Sequence, residues 1–372
     1  MQPRRVAIAA NSAWHIANFR SELIRALKTQ GYEPLVLAPA DSGAKFSELG
    51  VAHVDVPLQR SGLNPFADLR LLLCYWRILR QLRPAAFLGF TIKPNIYGGY
   101  AAATLGIPAI ANISGLGTTF IKKGTLRSLV TGLYRFALRR TPVVFFQNPD
   151  DRALFLEGRM VRAEQARLLP GSGVDLERYG YVPLPSGPPT FLFIGRLLGD
   201  KGVRELVEAA RKLRPSHPNI RVQLLGPIDG DNRTAISRAE LNDWVSHALI
   251  EYLGETDDVR PFIEKATAVI LPSYREGLPR SLLEAAAMGR PLIATDVPGC
   301  REVVEDGVNG YLCAPRSPNS LADVMRKLAD LGPEERSAMG VASRRKAEAQ
   351  FSETVVIQAY LNALGNVAPP RS

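Results

Sequence analysis

The run Glu276-Gly277-Leu278-Pro279-Arg280-Ser281-Leu282-Leu283-Glu284 brings two carboxylates, a guanidinium and a hydroxyl into one short stretch. An apolar segment, Ala268 to Leu271, precedes it, and Pro272 and Ser273 end that segment. Pro279 suits the first turn of a helix, where its missing N–H costs nothing. The helix continues through Leu282, Leu283, Glu284, Ala285, Ala286, Ala287 and Met288, and Gly289 stops it. Glu276 then lies in a strand-to-helix loop and Glu284 inside the helix. The loop's N–H groups and the positive end of the helix suit an anion such as a diphosphate. A carboxylate at each end suits the hydroxyls of a sugar and of a ribose. The shape implied is a pocket for a nucleotide sugar. By themselves, two glutamates at this spacing also fit a solvated helix start.

A second loop carries complementary charge. Phe193-Ile194-Gly195-Arg196-Leu197-Leu198-Gly199-Asp200-Lys201-Gly202 reads as a strand running into a glycine-rich loop. Arg196 can clamp a diphosphate with its planar fork and Lys201 with a point charge. Gly-x4-Gly-Lys-[Ser/Thr] is absent, so this is not a nucleotide-triphosphate P-loop. Gly-x-Gly-x-x-Gly is absent as well, which weakens a nicotinamide-cofactor reading.

These loops need a strand–helix scaffold. In the first half, apolar strands at 6–10, 34–38, 53–56, 85–90, 108–112 and 143–147 alternate with helices at 18–30, 68–82, 96–105 and 125–140. Such alternation predicts an α/β fold with a parallel, doubly wound sheet. The stretch YVPLPSGPPT at 181–190 holds four prolines and a glycine and reads as a linker. Strands at 191–194, 222–225, 251–253, 268–271 and 291–294 then build a second α/β domain. Residues 334–364 read as a helical tail long enough to cross a domain boundary. The expected organisation is a domain at 1–180, the linker at 181–190, a nucleotide-sugar domain at 191–345, and a helix and tail at 346–372. Two Rossmann-like lobes joined in this way are expected to face each other across a cleft, where ligands bind.

The Gly195–Gly202 loop, the Glu276–Glu284 run, Thr295-Asp296-Val297-Pro298-Gly299-Cys300-Arg301-Glu302 and Gly307-Val308-Asn309-Gly310 follow one another in an order that resembles the retaining GT-B glycosyltransferases. Thr91-Ile92-Lys93-Pro94-Asn95-Ile96-Tyr97-Gly98 and Ile113-Ser114-Gly115-Leu116-Gly117 resemble the subgroup that extends undecaprenyl-diphosphate-linked sugars, including N-acetylgalactosaminyl- and hexosyltransferases. The resemblance implies that Arg196 and Lys201 hold the donor diphosphate and that Glu276 meets the donor sugar. It further implies that Glu284 holds the ribose, and that Gly195 and the backbone of Gly277, Leu278, Pro279, Arg280 and Ser281 help to cradle the nucleotide. The group needs no metal and no cofactor, and no Asp-x-Asp triplet occurs here. Two departures concern the acceptor side. The first loop reads Asn11-Ser12-Ala13-Trp14-His15-Ile16-Ala17-Asn18, without the Gly-Gly pair of many relatives, and Asn112-Ile113-Ser114-Gly115 lacks a histidine. His15, Asn18, Lys93 and Asn112 are the acceptor-side candidates.

With 372 residues and 46% apolar composition, the chain can bury a full core in two domains. Three scattered cysteines, Cys74, Cys300 and Cys313, and four histidines argue against a disulfide framework or a structural zinc site and fit a reducing cytoplasm. No apolar run reaches the roughly 18–20 residues of a membrane span, and 6–10 is too short for a secretion signal. The net charge of +10 is uneven: residues 1–180 carry 23 Lys+Arg against 12 Asp+Glu, and the remainder 23 against 24. Between Arg60 and Arg140 there are 12 basic residues and one acid, Asp68. Lys122, Lys123, Arg127, Arg135, Arg139 and Arg140 alternate with apolar Phe120, Ile121, Leu126, Leu129, Val130, Leu133, Tyr134 and Phe136. This pattern predicts a helix that lies on an anionic membrane surface, with packing on the sheet as the plainer alternative. No nucleic-acid-binding motif accompanies the charge. The expected enzyme moves a hexose or N-acetylhexosamine from a UDP-sugar donor to a lipid-linked saccharide acceptor at the inner face of the cytoplasmic membrane. A soluble acceptor, or a catalytically weak scaffold of the same fold, are the alternatives.

Overall fold

The computed structural model describes residues 4–40, 46–58, 64–116, 125–230 and 232–369. The chain forms two compact units, Met1–Ser172 with Thr354–Ser372, and Gly173–Glu353.

The first unit opens with β1 (Arg4–Ala9), α1 (Ala13–Phe19), α2 (Ser21–Thr29), β2 (Tyr32–Ala38), α3 (Phe46–Leu49), β3 (Ala52–Asp55) and α4 (Pro65–Leu82). It continues with β4 (Ala86–Phe90), a π-helical turn at Pro94–Gly98, α5 (Gly99–Thr104), β5 (Ala109–Ile113), α6 (Thr125–Leu138), β6 (Val143–Phe146), α7 (Pro149–Glu157) and β7 (Ala166–Leu168). The strands form one parallel sheet in the order β3-β2-β1-β4-β5-β6-β7. Helices cover both faces, which is why β1 reads as an unbroken apolar run. Val6 and Ile8 face the cluster that includes α2, whereas Ala7 and Ala9 face the one that includes α4.

Two helices differ from their sequence reading. The segment expected as one helix at 18–30 is two, because the backbone breaks at Arg20 (φ −135°) and Ser12 starts an earlier turn by accepting from the His15 N–H. The segment expected at 96–105 opens as a π turn at Pro94, a residue with no N–H to give a regular turn.

The second unit holds β8 (Thr190–Ile194), α8 (Val203–Leu213), β9 (Arg221–Leu225), α9 (Arg238–Ser246), β10 (Glu251–Tyr252), α10 (Arg260–Lys265), β11 (Ala268–Leu271), α11 (Arg280–Ala287), β12 (Leu292–Thr295), β13 (Gly310–Cys313), α12 (Pro318–Asp330) and α13 (Pro333–Gln350). Its sheet is also parallel, in the order β10-β9-β8-β11-β12-β13. The proline-rich stretch lies within this unit. The fully buried Arg290 donates to the carbonyls of Val182, Pro183 (3.0 Å) and Ala266 (3.2 Å), and burial lowers its pKa to about 10.

The helical tail is broken. After α13, Phe351 and Glu353 pair with Val174 (2.8 and 3.1 Å), and α14 (Glu353–Val367) joins the first unit. Val356, Tyr360, Ala363 and Leu364 of α14 enter the core that holds Val6, Ile8 and Phe90. The Tyr32 hydroxyl donates to the Ala368 carbonyl at 3.0 Å.

Candidate functional site

In the second sheet, β8 leads outward to β9 and β10, while β11 leads the other way to β12 and β13. The loops after β8 and β11 therefore diverge at the point where open α/β sheets bind ligands. They touch at Gly202, whose φ is +73° and where an added Cβ would stand 2.1 Å from the Pro272 carbonyl oxygen. Only glycine fits that conformation and that approach. The Tyr274 N–H donates to the Asp200 carbonyl at 3.0 Å, a second tie between the loops. The Tyr274 hydroxyl also ties its loop to the first turn of α8, donating to Glu205 Oε1 at 2.6 Å. Burial first, then this bond to Glu205, raises the Tyr274 phenol to about 12, so it remains a donor.

Across this junction Lys201 Nζ meets Glu276 Oε1 at 2.5 Å, with the two side chains 25% and 12% exposed. The pair joins a residue of the first loop to one of the second. Arg196 stands more openly and donates from Nη1 to Asp229 Oδ2 at 2.7 Å. Asp229, in the loop after β9, had no role in the sequence reading.

A turn after β12 holds Glu276. Gly299 has φ +88°, and a Cβ there would meet the Gly277 carbonyl oxygen at 2.5 Å and the Glu276 carbonyl carbon at 2.8 Å. The Glu276 N–H donates to the Pro298 carbonyl at 3.1 Å, and Glu302 Oε2 accepts from the Gly299 N–H at 2.6 Å. The motif Thr295–Glu302, visible in the sequence but without an assigned task, positions the first glutamate. Cys300 beside it is fully buried, and burial raises its thiol well above the ordinary range, the wrong direction for a nucleophile.

The helix α11 begins at Arg280, with Pro279 immediately before its first turn rather than in it. The Pro279 carbonyl accepts from Leu282 (3.1 Å) and Leu283 (3.3 Å), which fixes Gly277 and Leu278 at the helix entrance. Leu278 is buried in the core and Ser281 half-buried. Gly195 directly follows β8, its N–H donating to the Leu225 carbonyl at 3.0 Å. Glu284 is only 7% exposed and takes the Arg280 Nε–H on Oε1 at 2.6 Å. The Tyr179 hydroxyl also bonds Glu284; burial, then the nearby Glu284 charge, raise that phenol to about 12. One side of the second unit thus gathers Arg196, Lys201, Glu276, Arg280 and Glu284 on neighbouring loops and a helix start, each cation paired with a carboxylate.

The acceptor-side candidates differ among themselves. His15 and Asn18 lie on α1, just after β1; the His15 ring is edge-on to Phe19 at 4.9 Å, and the exposed Asn18 amide donates to the Trp14 carbonyl at 2.9 Å. Lys93 Nζ is paired with Asp68 Oδ1 at 2.8 Å, with side chains 11% and 8% exposed. Asn112 is fully buried: its Nδ2 donates to the Tyr360 hydroxyl at 2.5 Å and its carbonyl accepts from Asn95 at 2.7 Å. The polar atoms of Lys93 and Asn112 thus serve internal networks. Thr91, which the sequence reading gave no role, has φ +68°, a strained value for a β-branched residue, at the end of β4.

The basic helix expected at 120–140 is α6. Phe120, Ile121, Lys122 and Lys123 lie outside the described residues. Of its named apolar residues, Val130 and Tyr134 are buried in the core beside Ala137 and Leu138 and Leu133 is partly buried, whereas Leu129 and Phe136 are exposed. Among the described residues no helix is long and apolar enough to cross a membrane.

Residues 188–330 match the family described as glycosyl transferases group 1, and residues 16–171 match the glycosyl transferase 4-like domain. The chain thus joins a glycosyl transferase 4-like domain to a glycosyl transferases group 1 domain and has the GT-B fold. It is similar over nearly its whole length to the N,N'-diacetylbacillosaminyl-diphospho-undecaprenol alpha-1,3-N-acetylgalactosaminyltransferase of Campylobacter jejuni, at 26% identity over 98% of this chain and 99% of that protein. Among solved structures, the sucrose-phosphate synthase of Thermosynechococcus elongatus superposes with a TM-score of 0.80 at 19% identity, over 98% of both chains. The Anabaena protein Alr3699/HepE, solved with UDP-glucose, superposes with a TM-score of 0.79 at 18% identity, over 98% of this chain and 100% of that one.

Proposed function

We propose that this glycosyltransferase moves a hexose or N-acetylhexosamine from a UDP-sugar to a polyprenyl-diphosphate-linked saccharide, with retention at the anomeric carbon and without a metal. The reaction belongs to bacterial surface-glycan or glycoprotein-glycan assembly. It takes place at the inner face of the cytoplasmic membrane, to which the basic first unit binds peripherally. The observation that carries the donor side is the Lys201–Glu276 pair across the two loops of the β8/β11 switch point. A lysine there has two further protons for diphosphate oxygens, and Arg196 adds a second cation. Glu276 faces the sugar hydroxyls and Glu284, with Arg280, the ribose. The Campylobacter relative's lipid-linked acceptor and the UDP-glucose bound by the Anabaena protein support the two substrate classes.

Catalysis in this reading is positioning plus charge stabilisation. The bond from the anomeric carbon to the diphosphate breaks, and the acceptor oxygen bonds that carbon on the same face. The acceptor's proton passes to the leaving diphosphate oxygen, and UDP departs. Lys201 and Arg196 offset the charge that grows on the diphosphate.

Incubation of the purified protein with labelled UDP-sugars and a polyprenyl-diphosphate-linked saccharide tests this. Label transfer to the lipid, with the anomeric configuration kept, is the expected result. Transfer only to water-soluble sugars would establish the soluble-acceptor alternative. Neither transfer nor UDP-sugar hydrolysis would leave the scaffold.

A further inference from the structure

The outer face of α4 has a composition that its fold does not require. Leu71, Tyr75 and Leu79 fill the core on its inner side. On the outer side Phe66, Leu69 and Leu73 are 86%, 54% and 44% exposed. Their spacing sets them along one stripe, which the exposed Arg70 flanks and the exposed Arg77 and Arg80 continue towards the helix end. The one acid of this helix, Asp68, points inward and is neutralised by Lys93. The outer face therefore carries cations and large apolar groups and no anion.

Helix α6 repeats the combination. Leu129 and Phe136 are 54% and 60% exposed, beside the exposed Arg135 and, just past the helix, Arg139 and Arg140. Both helices pack on α5 and on the π turn, and the Phe136 ring stacks on Tyr100 of α5 at 4.8 Å between centroids. They thus flank α5 in one layer of the first unit.

We propose that the outer face of this α4–α5–α6 layer docks on an anionic lipid bilayer, with Phe66, Leu69 and Leu73 entering the interface and the arginines meeting headgroup phosphates. The inference rests on the lipid-linked-acceptor reading and adds to it a second helix, α4, with named contact residues. Apolar groups this exposed on a helix whose inner side is already filled serve no packing purpose. A bilayer interface takes apolar and cationic groups together, and the charge sign selects anionic lipid.

The test uses the full chain with vesicles of phosphatidylcholine alone and with 30% phosphatidylglycerol. Replacement Phe66→Trp supplies a depth probe. Its emission should shift to the blue and be quenched by brominated acyl chains with the anionic vesicles only. The variant Phe66→Ser/Leu69→Ser/Leu73→Ser should bind anionic vesicles at least about tenfold more weakly, with unchanged melting and unchanged transfer to a water-soluble acceptor. If the wild type binds and the triple variant binds equally well, α4 is not a contact and only this inference fails. If the wild type binds neither vesicle, peripheral attachment fails with it; if it also transfers to lipid-linked acceptors, the function stands. Self-association of the wild type without lipid, abolished in the triple variant, would assign the face to a second copy and overturn the bilayer.

Discussion

The two units share one architecture and use their switch points differently. In the second, the loops at β8 and β11 are drawn together by a glycine that accepts no side chain, and their charged groups meet across the seam. In the first, the polar residues after β4 and in β5 turn inward: Lys93 neutralises Asp68, and Asn112 ties β5 to Tyr360 of α14. The same fold thus yields, on one side, paired charges graded from the exposed Arg196 to the buried Glu284, and on the other an interior stitched by polar bonds. The difference teaches that residue type near a switch point does not by itself make a binding group; what its partner is, and which way it faces, decides.

The sharpest way to break that contrast is at Lys93. If it is structural, Lys93→Met leaves Asp68 buried without a counter-charge, and stability should fall by about 3–5 kcal/mol. The double replacement Asp68→Leu/Lys93→Met should recover most of that loss in a denaturant titration. A stable single variant that loses only transfer would instead place Lys93 at the acceptor.

On the other side of the comparison, Lys201→Ala should leave the protein folded, with melting lowered by the loss of the Glu276 partner, and lower transfer at least about tenfold. A charge-assisted bond to phosphate in a partly desolvated site contributes roughly 1.5–3 kcal/mol. Steady-state rates with near-wild-type turnover would remove Lys201 from the diphosphate.

Gly299→Ala tests the support behind Glu276. The left-handed backbone and the close Gly277 and Glu276 atoms make any side chain strained, by roughly 1–3 kcal/mol. Transfer should fall severalfold with UDP binding retained if the displaced Glu276 faces the sugar as proposed. Equal loss of UDP binding, read by thermal shift, would mean that the whole loop had collapsed.

The smallest expected effect is that of chelation. With Arg196 and Lys201 supplying positive charge, transfer in excess EDTA should stay near its starting rate. Complete loss, restored by magnesium or manganese, would overturn the metal-free mechanism.

Much of this arrangement was legible in the sequence because its signals are local. Strand and helix periods, glycines at loop ends and the Glu276–Glu284 spacing all act within a few residues, and they located both sheets and the loops of the second unit. What escaped depends on distant partners. Asp229, Tyr179 and Glu205 became relevant only when folding brought them to Arg196, Glu284 and Tyr274. The inward turn of Lys93 hangs on Asp68, a residue on another element. Some local signals were simply not read: Ser237 and Glu240 form a capping box that starts α9, and Asn148 caps α7. The break between α13 and α14 has no proline or glycine to mark it; pairing with Val174 makes it.

The return of α14 has a consequence for biosynthesis. The first unit is discontinuous along the chain, and its core lacks Val356, Tyr360, Ala363 and Leu364 until the last helix has been translated. The intervening Gly173–Glu353 unit is continuous and can close as soon as it clears the ribosome. At roughly 5–20 residues per second, its synthesis keeps the earlier half waiting for roughly 10–40 s. During that interval Phe90 and Phe145, whose rings Tyr360 of α14 later covers, present an apolar face to solvent, a natural station for a chaperone. The half that is made first is therefore the half that finishes last.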